Sequence, residues 1–214
     1  MVTKVTTYFH AGDLFEIAKR SARAGTFEND GPIISIMFSV IALEAFINES
    51  VSLARSMPTA KTQKIVEAYS NVMSELEQRK EGIVIKYHLG LLVFSGATWD
   101  EGIQPFQDFK LLIVLRNAIT HAKSDEWSVK LDYFRDHEPQ RDVDEYPKFI
   151  RTLLQRGFIE KPLSSESWLV LLNNPKVANW ACKTAETITK KFFEAVPKGY
   201  YKESLKTHLL CIDI

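Results

Sequence analysis

The sequence predicts an all-α fold, an up-and-down helical bundle formed by a single domain over residues 1–214. Apolar residues recur at helical spacing in several long segments, whereas alternating strand patterns are weak. Turn residues separate these segments, as in Asn29-Asp30-Gly31-Pro32. A hydrophobic share of 45% with 25% charged residues is that of a globular protein, which excludes disorder over the whole length.

The first two helices are predicted at Tyr8–Ala24 and from Pro32 to about Ala54. Basic residues gather near the C-terminal end of the first segment, where the helix dipole favours them. In the second segment the apolar positions cover well over half of the helix circumference. We therefore expect the second helix to lie in the middle of the bundle, with neighbours on several sides.

Lys61–Lys86 indicates a third helix, either continuous or broken. The following run, Ile83–Phe94, fits a helix or a buried strand, and we favour a helix to about His88 followed by irregular chain. A fourth helix is predicted at Pro105–Lys123, because proline is well placed in the first turn of a helix.

The segment Ser124–Glu166 has an excess of acidic residues and contains three prolines. We interpret it as an irregular, acidic insertion before the last long helix, with one short helix at Pro147–Arg156. The last long helix is predicted to follow Pro175, where apolar residues again recur at helical spacing.

Charge and cysteine content limit the classes of function. Lys+Arg and Asp+Glu number 27 each, so any positive surface that could attract a nucleic acid must be local. Cys182 and Cys211 are too few for a disulfide framework and fit free thiols in a reducing compartment. No signal-peptide pattern is visible, and the apolar stretch Ile33–Val40 is soon followed by Glu44. These features predict a cytoplasmic protein with no membrane contact.

The sequence contains no motif for a metal or a cofactor, and we expect neither. The histidines are scattered and lack the spacing of metal ligands. No glycine-rich phosphate loop is present, and Phe94-Ser95-Gly96-Ala97 lacks the flanking glycine of a nucleophile elbow.

A polar cluster interrupts the otherwise apolar fourth helix at Arg116-Asn117-Ala118-Ile119-Thr120-His121. Arg116 is in register with the apolar side of the helix, while Asn117 and His121 are one turn apart. Arg116 and His121 project about 140° apart around the axis. They can reach a common point only if long side chains converge over a cleft, or if two copies of the helix meet at a two-fold interface.

The second helix carries a matching polar pair, because Glu44 and Asn48 continue the row of Met37 and Ile41, which we expect to be core. A lone carboxylate on an apolar face is costly unless it is paired. Arg116 is a suitable partner, since its planar guanidinium can bond a carboxylate through two donors. We therefore predict contact between Glu44 and Arg116, and we expect Asn48 to hydrogen bond between helices.

Arg116-Asn117-Ala118-Ile119-Thr120-His121 resembles the Arg-Asn-x-x-x-His motif of the HEPN superfamily, which consists of all-helical bundles common in prokaryotic toxin–antitoxin and phage-defence systems. The second helix, with Glu44 inside Ile41–Glu49, is similar to the apolar helix with an embedded acid in many members. The helix around Trp180 would suit the closing helix of the bundle, whereas Ser124–Glu166 matches nothing in the family.

The resemblance implies a metal-independent endoribonuclease that leaves 2′,3′-cyclic phosphate ends. His121 would then transfer a proton, as an imidazole can near neutral pH, and Arg116 would stabilise the charge that develops on phosphorus. Asn117, Glu44 and Asn48 would support these two residues. The family normally assembles the site across a homodimer, and a cognate antitoxin or another regulatory protein would be a further partner.

Two other functions stay open. The chain could be a catalytically silent HEPN-like module that binds a nucleotide, RNA or a protein partner, which the neutral charge and the acidic segment favour. It could also be a purely structural oligomerisation protein. In either case His121 would be a helix-terminal histidine that interacts with the helix dipole, and Glu44 and Arg116 would form a structural ion pair.

Overall fold

The part of the chain that the structure describes is mainly helical. The structure, a computed structural model, covers residues 8–58, 63–124, 142–162 and 166–209. In these ranges it contains nine α-helices and no strand, which confirms the predicted all-α bundle. The helices are α1 (Ala11–Ala24), α2 (Gly31–Ser56), α3 (Lys64–Gln78), α4 (Ile83–Ser95), α5 (Phe106–Thr120), α6 (Lys148–Gln155), α7 (Trp168–Leu172), α8 (Pro175–Ala195) and α9 (Tyr200–Leu209).

Helix α2 occupies the middle of the bundle, as its apolar circumference predicts. It contacts α1, α3, α4, α5, α8 and α9. Ala42, Phe46 and Val51 are at most 9% exposed, although their positions span about 180° around the helix axis. By length and composition α2 could also cross a membrane, and half of its most apolar window is buried inside the bundle.

Three tyrosines attach neighbouring helices to the backbone or side chains of α2. Tyr69 of α3 hydrogen bonds to the Ser50 hydroxyl at 2.6 Å, and Tyr201 of α9 donates to the Ser50 carbonyl oxygen at 2.9 Å. Tyr87 of α4 donates to the carbonyl oxygen of Leu43 at 3.0 Å. Because a buried polar group is costly without a partner, these bonds fix how the three helices are placed along α2.

Phe192 of α8 lies at the centre of the aromatic core. Its ring centroid is between 5.5 and 6.1 Å from four other rings, those of Phe46, Tyr69, Tyr87 and Phe94. Gly90 gives this ring its space on α4, because a Cβ atom there would come within 2.7 Å of the Phe192 ring. The glycine inside the apolar run is therefore a packing requirement rather than a helix end.

The α2–α8 contact also buries a thiol. Cys182 Sγ lies 3.2 Å from Ser35 Oγ and 3.7 Å from Ser39 Oγ, and the residue is 9% exposed. Cys211 lies outside the described residues.

The predicted third helix is in fact two helices, and the expectation of irregular chain after His88 is wrong. Lys80 has φ of 56° and ends α3, with Glu81 N donating to Leu76 O at 2.9 Å and Lys80 N to Glu77 O at 3.0 Å. These two bonds form a Schellman motif, which closes a helix C-terminus. A separate helix, α4, then continues to Ser95.

Part of the acidic segment packs onto the bundle. The predicted short helix is present as α6, after a 3-10 turn at Val143–Glu145. Ile150 and Leu153 are fully buried, and Arg156 forms an ion pair with Asp108 of α5. Residues 125–141 and 163–165 of this segment lie outside the described residues. The sequence reading missed α7 and α9 altogether.

The buried tyrosines predict loss of stability at alkaline pH. Burial raises the pKa of Tyr69, Tyr87 and Tyr201 above the ordinary value of about 10. The stability that these protonated tyrosines contribute is complete below about pH 10, the ordinary pKa of tyrosine. It is lost as the pH rises toward the pKa of the folded state, because the unfolded chain releases these protons first. Each should lower the free energy of unfolding by up to about 1.4 kcal/mol per pH unit there.

Urea unfolding at a series of alkaline pH values measures this effect. Tyr69→Phe should make the decline with pH shallower, whereas Tyr8→Phe, at a position that is 77% exposed, should leave it unchanged. If the free energy of unfolding falls with pH equally steeply in wild type and Tyr69→Phe, the Tyr69 phenol does not contribute to the alkaline loss of stability.

Candidate functional site

An ion pair between Arg116 of α5 and Glu44 of α2 lies at the centre of the candidate site. Arg116 Nη2 donates to Glu44 Oε1, so the contact predicted from the sequence is present. The Arg116 side chain is 21% exposed and that of Glu44 is 38% exposed. Leu112 and Leu115, both fully buried, hold this part of α5 against the core and place the guanidinium at the edge of the α2–α5 contact.

The guanidinium of Arg116 has unused hydrogen-bonding capacity. Its Nε atom is buried, and no hydrogen-bond acceptor reaches it among the described residues. A buried donor without a partner costs about 1–3 kcal/mol. Since arginine carries five donors in a fixed plane, the pair with Glu44 leaves the group able to bind a further anion, such as a phosphate oxygen.

Asn117 and His121 lie on the solvent side of α5. Both are exposed, and His121 is the C-cap residue, with its backbone N–H donating to the carbonyl oxygen of Asn117 at 3.0 Å. Among the described residues, no hydrogen bond links the His121 imidazole to Arg116, Asn117 or Glu44. The sequence motif therefore places Arg116 and His121 on one helix but on different faces of it.

Asn48 hydrogen bonds between helices, one turn beyond Glu44 on α2. Its Oδ1 atom accepts from Lys86 Nζ of α4 at 3.1 Å, and Lys86 also forms an ion pair with Glu77 of α3. The row that leads to these residues is less buried than expected. Met37, Ile41 and Glu44 are only partly buried, and Asn48 is exposed, because this side of α2 faces the edge of the bundle.

Lys86 and Glu77 were missed by the sequence reading. The Lys86 side chain is only 12% exposed, which is unusual for an amine and depends on its two polar partners. A signal was present in the sequence, since Lys86 is the only charged residue in the apolar run Ile83–Ser95. The prediction placed Lys86 at the end of the third helix, whereas it lies on the separate helix α4.

The chemistry that these groups can carry out is anion binding and proton transfer. The described residues contain no group of three or more His, Cys, Asp or Glu side chains that could hold a metal ion. The site offers a half-buried guanidinium, a carboxylate that fixes it, and an exposed imidazole on the next turn of α5.

Comparison of the chain with protein-family models, with curated proteins and with solved structures found no match.

A double-mutant cycle on Glu44→Gln and Arg116→Met measures the strength of the central ion pair. We expect a coupling free energy on the order of 1 kcal/mol, at the upper end for surface pairs, because both side chains are more than half buried. Urea unfolding of the wild type, the two single variants and the double variant gives this value.

The same cycle on Glu75 and Arg79, which form an exposed pair on one helix, provides the control. There the coupling should be about 0.3–0.5 kcal/mol. A central pair no stronger than this control would argue against Glu44 as the residue that positions Arg116.

Proposed function

We propose that the protein is a metal-independent endoribonuclease of the HEPN type that acts as a homodimer in the cytoplasm, as a toxin or phage-defence effector. The observation that carries the proposal is the half-buried Arg116, held by Glu44 and followed on the same helix by the exposed Asn117 and His121. This arrangement combines a fixed positive charge with a group able to transfer protons.

In the proposed reaction the 2′-hydroxyl oxygen of a ribose attacks the adjacent phosphorus atom, and the bond from phosphorus to the 5′ oxygen breaks. His121 accepts the 2′-hydroxyl proton or donates a proton to the leaving 5′ oxygen. Arg116 stabilises the negative charge on the phosphorane through its guanidinium donors. Asn117 hydrogen bonds to the His121 ring or to a phosphate oxygen. The products are a 2′,3′-cyclic phosphate and a 5′-hydroxyl.

The proposal requires two chains, because Arg116 and His121 project about 140° apart on one helix. A two-fold interface at α5 would bring His121 of one protomer toward Arg116 of its partner. Apolar surface is available beside these groups: Val114 is 47% exposed one turn before Asn117, and Ile34 is 40% exposed on the row of α2 that leads to Glu44. A cognate antitoxin would be expected to cover the same surface.

The exposed position of His121 favours one alternative, a catalytically silent HEPN-like module that binds a nucleotide, RNA or a protein partner. In a single chain the His121 imidazole has no hydrogen-bond partner among the described residues and could act only on the dipole of α5. The balanced net charge also lacks the basic excess that is common in RNA-binding proteins. In this alternative Glu44 and Arg116 fix the packing of α2 against α5.

RNA cleavage in excess EDTA tests the nuclease directly. We expect the wild type to cleave RNA and to leave 2′,3′-cyclic phosphate ends, and His121→Ala to lower the rate by about 100-fold or more, the typical contribution of general acid–base catalysis. His10→Ala, at the exposed N-cap residue of α1, is the matched control and should retain wild-type cleavage. Folded, dimeric wild type that cleaves none of a varied set of RNAs would support the silent binding module instead.

Complementation between inactive variants tests the composite site. In a randomly mixed dimer of Arg116→Ala and His121→Ala chains, half of the dimers are heterodimers, and each has one site with both wild-type residues. Cleavage should return to about a quarter of the wild-type rate if the two residues meet across the two-fold axis. No recovery, with heterodimers confirmed by mass spectrometry, would place both residues of a site on the same chain.

A further inference from the structure

A small polar cavity lies between α2, α3 and α4, apart from the Arg116–Glu44 pair. Its volume is about 230 Å³, and Asn48, Ser52, Arg55, Glu77 and Lys86 line it above the buried side chain of Met73. Pockets for complete small molecules usually have volumes of about 300–1,000 Å³. The cavity is therefore suited to one charged group rather than to a whole nucleotide.

The cavity carries an excess of positive charge. Lys86 is compensated by Glu77 and by its hydrogen bond to Asn48. Arg55 has only a neutral partner, the Ser74 hydroxyl, and no carboxylate pairs with it among the described residues. Arg55 is also exposed, so its remaining donors can reach a ligand. An uncompensated guanidinium at a concave polar surface favours phosphate, whose oxygens match its fork of donors.

The cavity continues the face of α2 that carries the candidate site. Glu44, Asn48, Ser52 and Arg55 fall within about 80° around the helix axis, and Glu44 and Arg55 are separated by about 16 Å along it. Arg116 contacts this face at Glu44 and Lys86 contacts it at Asn48, while Arg55 stands at its far end. A few nucleotides of single-stranded RNA can span the distance from Arg116 to Arg55.

We propose that this cavity binds a backbone phosphate of the RNA strand whose scissile phosphate lies at Arg116. Arg55 bonds the phosphate oxygens, and Lys86 and Ser52 form the wall beside it. The inference rests on the proposed function for the identity of the strand. The cavity gives the RNA a second contact point besides Arg116, and the two points together set the direction in which the RNA lies along α2.

Binding of a fluorescein-labelled, single-stranded 2′-O-methyl RNA tests the proposal without cleavage, because this RNA cannot form a cyclic phosphate. Fluorescence anisotropy at several salt concentrations gives the Kd and its salt dependence. Loss of one phosphate contact in Arg55→Gln should weaken binding about fourfold at roughly 0.15 M salt and lower the slope of log K against log salt by about 0.7.

Arg79→Gln is the matched control, since Arg79 is an exposed arginine at the C-cap of α3 that pairs with Glu75 and does not line the cavity. It should bind as the wild type does, and Arg55→Lys should retain most of the salt slope because it keeps the charge. Unchanged thermal unfolding of the variants confirms that they fold. An Arg55→Gln variant with wild-type affinity and slope would overturn the proposal, as would a wild type that does not bind this RNA.

Two further outcomes separate this inference from the proposed nuclease. If Arg55→Gln lowers the slope of log K against log salt as expected but the wild type cleaves no RNA, the phosphate site is supported and the proposed nuclease is not. Inorganic phosphate distinguishes the other source of the same chemistry. If phosphate raises the Tm of the wild type but not of Arg55→Gln, while RNA binding is the same in both, the cavity binds free phosphate and the RNA assignment is wrong.

Discussion

Helix α2 is held by three tyrosine hydroxyls, from α3, α4 and α9, and the geometry of the candidate site depends on these bonds. Two of them end on Ser50, on the turn that follows Asn48. If α3 or α4 slid along α2, a buried hydroxyl would lose its partner at a cost of about 1–3 kcal/mol. The distance from Asn48 to the cation of Lys86 on α4 is therefore set by the core, not by the surface groups themselves.

Most of the helical framework could be predicted from the sequence, because α1 and α8 show clear periodicity, and α2 and α5 are largely apolar segments that begin next to a proline. The error at α4 has a physical cause: Ile83–Ser95 is apolar on all sides, so periodicity cannot distinguish a helix from a strand there. Its internal Gly90, a residue type that often interrupts helices, makes room for the ring of Phe192. The short helix α7 has too few residues to show a period.

The Glu44–Arg116 contact was predictable for a different reason. Each residue is a lone charge beside an apolar helix face, and a charge in such a place is costly unless an opposite charge pairs with it. Lys86 and Arg55 were not found in this way, because the groups that they lie beside depend on where α4 lies relative to α2. The relation of His121 to Arg116 could not be read from one chain at all. Periodicity gives the angle between two residues on one helix, but it carries no information about a second copy.

The buried thiol of Cys182 can report how often α8 separates from α2. Because Sγ is enclosed by Ser35 and Ser39 of α2, an alkylating reagent can reach it only when α8 separates from α2. At low reagent concentration the alkylation rate would follow the equilibrium population of that opened state, and at high concentration it would approach the opening rate. Alkylation of this thiol would thus measure the opening of the α2–α8 contact without any introduced label.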